Sequence, residues 1–156
     1  MGEVERIVDQ LQRAFAGDAW HGPALRDLLA DVDAARAAAR PLAGAHTVAE
    51  IVDHVATWND VVRRRLEGEW ISSLPPEEDW PAAELASDAA WAEARRRLEE
   101  SQARLVQAIS RVADGDLPAR VPEKDYSVYV MLHGVVQHAL YHAGQIALLK
   151  KARPAA

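Results

Sequence analysis

The sequence predicts an all-α fold: a four-helix bundle, one domain over residues 1–156, with a long crossover between the second and third main helices. Three observations carry this. Apolar residues recur at helical spacing in four long stretches. β-Branched residues never form the alternating runs that half-buried strands require. The 17-residue connection Glu69–Leu85 contains Pro75, Pro76 and Pro81, which rule out a continuous helix. Extended, such a segment spans roughly 50 Å. That exceeds the length of a 20-residue helix, about 30 Å, so the helices it joins can run parallel.

The first helix places Val4, Ile7, Val8, Leu11 and Phe15 on one face and ends or kinks at Gly17. Pro23 is suited to the first turn of a short second helix whose buried side is Leu25, Leu28, Leu29 and Val32. Asp33–Arg40 is helix-permissive, and Pro41 and Gly44 close it. The second long helix opens with the capping box Thr47–Glu50 and buries Ile51, Val55, Trp58, Val62 and Leu66 before Gly68 stops it. Trp70 and Trp80 are expected to pin the crossover to the bundle. Trp91, Leu98, Leu105 and Val112 recur at sevens along the third helix, widened by Ile109, with Ser87 as cap and Gly115 as terminator. Asp116–Asp125 reads as a loop, and Asp125 or Ser127 caps a fourth helix reaching about Lys151.

Composition excludes several functions. Asp plus Glu outnumber Lys plus Arg by 24 to 18, a net charge of −6 that disfavours nucleic-acid phosphate as a partner. With no Cys there is no disulfide, no Cys-type zinc site and no protein thiol nucleophile. Met1–Phe15 carries charges throughout, unlike a signal peptide, and no apolar run approaches about 18 residues. A soluble cytoplasmic protein without membrane contact is expected.

Histidines carry the chemistry. His138 and His142 lie one turn apart at the edge of the last helix's apolar stripe, where two imidazoles can grip one ion or be satisfied at a helix seam. His54 holds a similar edge position on the second long helix. If those helices are neighbours, the three histidines form a triad that suits Zn²⁺, Ni²⁺ or Fe²⁺ better than Ca²⁺ or Mg²⁺. Three protein ligands leave positions for water or a small-molecule substrate. Gln145, a turn beyond His142, can bond such a water or serve packing, and Tyr141 can act as an acid, an orienting hydroxyl or a packing residue. Glu50 is either the cap residue or an acceptor for a histidine N–H. His21 either lines a pocket or caps a turn, and Arg65, on the His54 side of its helix, can reach the mouth of a cleft.

Three stretches, WHGP at Trp20–Pro23, HTVAEIVDHVATW at His46–Trp58 and above all QHALYHAGQI at Gln137–Ile146, resemble the DinB-like (DinB/YfiT) superfamily of metal-binding four-helix bundles. Carried over position by position, the resemblance implies His54, His138 and His142 as ligands of one divalent transition ion, Zn²⁺ or Ni²⁺ foremost. It implies a metal-dependent enzyme, foremost an S-transferase using a low-molecular-weight thiol such as bacillithiol or mycothiol. A metal-dependent hydrolase and a non-catalytic metal- or ligand-binding bundle are the alternatives. The resemblance and the five Trp residues together predict a homodimer.

Overall fold

The computed structural model describes residues 1–83 and 87–152; residues 84–86, which include the end of the predicted crossover, and the last four residues, 153–156, lie outside that description. Four long helices form the bundle: α1 (Glu3–Ala16), α4 (Val48–Leu66), α6 (Asp88–Ile109) and α7 (Val128–Lys151). Three short ones, α2 (Leu25–Leu29), α3 (Ala34–Ala38) and α5 (Pro76–Asp79), decorate the connections. No strand occurs among the described residues.

Helix starts follow the side-chain chemistry. Thr47 Oγ1 accepts from Glu50 N at 3.1 Å while Glu50 Oε2 accepts from Thr47 N at 2.8 Å, so the capping box forms in full. Ser87, Ser127 and Asp33 cap α6, α7 and α3 through their side-chain oxygens. Gly68, at φ 93°, adopts the left-handed conformation that ends α4 without a Cβ penalty.

The core divides into two layers along the bundle. Phe15, Val48, Ile51, Val55, Trp91, Leu98 and Ile146 share one. Val4, Ile7, Leu11, Val62, Leu105, Ile109 and Leu132 share the other. This order shows α4 and α6 running parallel to each other and antiparallel to α1 and α7. Cross-links agree: Arg97 pairs with Asp53 at 2.7 Å, and further along Asn59 donates to Ser101 Oγ and Gln102 Oε1, each at 3.2 Å. The crossover is therefore a true connection between parallel helices.

Three expectations need correction. Pro23 stays outside α2, whose cap is Ala24, because the helix starts two residues later, at Leu25. α6 ends at Ile109, short of Gly115; the chain turns at Ser110, leaving Val112 half-buried past the helix end. Trp70 is 74% exposed and joins neither core layer among the described residues, while Trp80 packs against the bundle.

Candidate metal centre

His54 comes from the middle of α4, and His138 and His142 from adjacent turns of α7. Because these helices are packed antiparallel, their histidines meet at one level of the bundle. His54 Nε2 lies 3.1 Å from His138 Nε2, and His142 Nε2 lies 3.0 Å from the same atom. All three residues can offer nitrogens to one ion. His54 and His142 are buried and His138 is half-buried.

The outer ring nitrogens set the proton positions. His54 Nδ1 donates to the Asp79 carbonyl at 2.5 Å, and His142 Nδ1 donates to Gln145 Oε1 at 2.6 Å. With both Nδ1 atoms protonated in neutral rings, both Nε2 lone pairs face inward toward His138. A single N–H on His138 can satisfy only one of them. A cation satisfies all three, and imidazole nitrogens about 2.0–2.1 Å from a common ion stand naturally near 3 Å apart. The donor set therefore fits a divalent transition ion. The His138 Nδ1 atom, buried without a hydrogen-bond partner among the described residues, adds an outer position that the protein leaves unused.

Burial keeps the cluster neutral and thus ready to ligate. It pushes His138 down to about 3, with the neighbouring His142 and His54 adding repulsion. Burial likewise pushes His142 down to about 4 against the opposing bond to Gln145. His54 is lowered too, by burial first, with the Asp79 carbonyl and carboxylate resisting.

The crossover completes the site. Trp80 lies flat on His54, with centroids 3.8 Å apart, and His46 stacks on its opposite face at 3.5 Å. The Asp79 carboxylate accepts from Trp58 Nε1 at 2.7 Å and lies 3.4 Å from His54 Nδ1. No local pattern in the sequence marks Asp79, since its position comes from the returning loop. Gln145 is engaged on the outer nitrogen of His142 rather than directed at a water. Tyr141 packs edge-on against His142, with centroids 5.1 Å apart, and is 66% exposed. Glu50 is held by the cap, Arg40 and His46, and does not hydrogen-bond the triad. His21 is exposed, beside a separate surface cavity near Lys150.

A cavity of about 290 Å³ adjoins the centre, with His138 at one end, Arg65 and Tyr126 in its wall, and Trp58, Val62, Met131 and Val135 making it largely apolar. No carboxylate lines it among the described residues. A larger cavity of about 440 Å³ between α4 and α6 touches none of the three histidines.

The sequence model of the DinB superfamily matches residues 19–146, well over half of the chain and inclusive of the whole triad. No curated protein and no solved structure matches the chain. No helix among the described residues is long and apolar enough to cross a membrane.

Proposed function

The chain belongs to the DinB superfamily, and from that premise we propose that it is a divalent-metal-dependent enzyme transferring the sulfur of a small thiol to an electrophilic substrate. The observation that carries the metal-dependent reading is the convergence of three Nε2 atoms whose proton positions are set from outside the cluster. His54, His138 and His142 would hold one Zn²⁺ or Ni²⁺. Such an ion supplies Lewis acidity, which lowers a thiol's pKa and raises the thiolate fraction at neutral pH.

The protein's own residues divide the remaining work. The Asp79 carbonyl and Gln145 keep two rings in the ligating tautomer. Trp80 covers one face of His54 against water. The apolar cavity beside His138 receives the electrophile and holds it near the centre. In the transfer, a C–S bond forms at the electrophilic carbon, the bond to the leaving group breaks, and the thiol proton passes to solvent. The nucleophile is a small-molecule thiol because the chain has no Cys.

A hydrolase would use the same centre but needs a base beside it. Glu50 is occupied in its cap and Asp79 approaches His54 from the outer ring nitrogen, so neither lines the cavity. That favours thiol transfer. Tyr141 remains a candidate for orienting the substrate from the rim. Its exposure also gives it a place in a homodimer face, with Gly144 and Leu148 on the outer side of α7.

The test loads the protein with Zn²⁺ or Ni²⁺ and offers bacillithiol, mycothiol or glutathione with a generic electrophile, beside ester and amide panels. Metal-dependent thiol consumption that disappears in His138→Ala supports the transferase. Turnover of esters or amides without thiol would replace it with the hydrolase, and inactivity throughout would favour a binding protein.

A further inference from the structure

Arg65 is 6% exposed, and among the described residues no carboxylate forms an ion pair with it. Its neighbours Arg63 and Arg64 both have such partners: Asp60 and Glu67 for the first, Glu69 for the second. Arg65 instead donates through Nε at 3.1 Å and Nη2 at 2.8 Å to the Ile71 carbonyl, and through Nη1 at 3.1 Å to the Tyr126 hydroxyl. A guanidinium has five N–H groups, so two remain. The carbonyls at the end of α4 offset part of the charge, but neither they nor Ile71 and Tyr126 neutralise it.

A buried cation without a counter-ion is costly to maintain. Here it lines the apolar cavity that His138 closes at the other end. The Trp58 ring joins the two ends, lying 5.8 Å from the guanidinium carbon and 6.1 Å from the His138 ring. Among the described residues, the other cavity walls bring no negative charge and no second cation.

We infer that the cavity between His138 and Arg65 binds a small apolar carboxylate, with the carboxylate on Arg65 and the apolar body along Trp58 toward the histidines. A planar carboxylate matches the guanidinium fork and supplies the missing negative charge. Val62, Met131 and Val135 accept a hydrocarbon or aromatic body, and the modest volume limits its size. This deepens the reading above, since it takes from it that the reaction occurs beside His138, and it makes Arg65 the residue that selects the electrophilic substrate.

The test uses the full chain freed of metal with EDTA, because a carboxylate could otherwise ligate an ion directly. Calorimetric titration compares 3-phenylpropionate with its neutral amide, 3-phenylpropionamide, on the wild type, Arg65→Met and Arg65→Lys, each checked for helicity by circular dichroism. The wild type should prefer the acid by about tenfold or more, as expected for a charge-assisted pair. Arg65→Met should bind both alike, and Arg65→Lys should keep only part of the preference, since it retains the charge but loses the fork. If Arg65→Met does not fold, the comparison with Arg65→Lys decides. Equal binding of acid and amide by the wild type, no binding of either, or a full preference surviving in the variants would overturn the inference. With no metal present, these outcomes are independent of whether thiol transfer occurs.

Discussion

Trp80 stacks on His54 with only 7° between their planes, so a residue of the crossover forms one wall of a cluster built by the bundle helices. Together with the Asp79 carbonyl on His54 Nδ1, it fixes that ring in position and tautomer. Trp80→Ala should leave the bundle folded and weaken Zn²⁺ affinity on the order of tenfold, the lower end for loss of an outer support. Competition against a chromophoric chelator measures it, and an unchanged dissociation constant would show that the stack is incidental.

Gln145 offers a cleaner separation of chemistry from shape. Gln145→Leu removes the acceptor for His142 Nδ1 while keeping similar volume, and should lower metal affinity by about 10–100-fold. Gln145→Glu keeps an acceptor and should retain most of it. Equal losses in the two variants would point to packing instead of the hydrogen bond.

The metal-free protein should be acid-sensitive through its histidines. His138 and His142 are held at about 3 and about 4, below the unfolded value near 6.5. Above that value both states are neutral and nothing is lost. As pH falls through 6.5 the unfolded chain takes up protons that the native cluster refuses, so stability declines until the native values are reached. Urea melts at pH 7, 6 and 5 should show a steeper decline for metal-free wild type than for His138→Gln. Parallel slopes would contradict the neutral cluster.

Asn59 links α4 to α6 from a buried position, donating to Ser101 and Gln102. Asn59→Ala strands both acceptors and opens a small void, and should destabilise the fold by about 1–3 kcal/mol. A loss below about 0.5 kcal/mol would mean that the parallel register is set by the apolar layers alone.

The proposed homodimer uses the outer face of α7, where Tyr141 and Leu148 are exposed. Wild-type protein at tens of micromolar should sediment as a dimer, and Leu148→Glu should shift it to monomer. A monomeric wild type would remove the proposal.

Much of this molecule was legible in the sequence. The four apolar faces and the Thr47, Ser87 and Ser127 caps act locally, so periodicity and side-chain type located the main helices closely. The Glu69–Leu85 stretch had the reach and prolines for a crossover, which the parallel pairing of α4 with α6 requires. The i, i+4 spacing of His138 and His142 is likewise a local property. What escaped was supplied from a distance. Asp79 reaches His54 through a loop whose path no periodicity encodes. The isolation of Arg65 depends on which acids fail to approach it, and the ending of α6 at Ile109 instead of Gly115 depends on the turn that follows. Trp70 and Trp80 looked alike as loop tryptophans, yet only Trp80 has two imidazole faces to fill the space around it.

The most direct measurement is metal stoichiometry and affinity in protein purified without a histidine tag. Wild-type protein titrated with Zn²⁺ or Ni²⁺ and analysed for bound metal should take up one equivalent. The variant with His54, His138 and His142 all changed to Ala should take up none at the same free-metal concentration. Equal metal uptake by the two proteins would contradict the triad as the site.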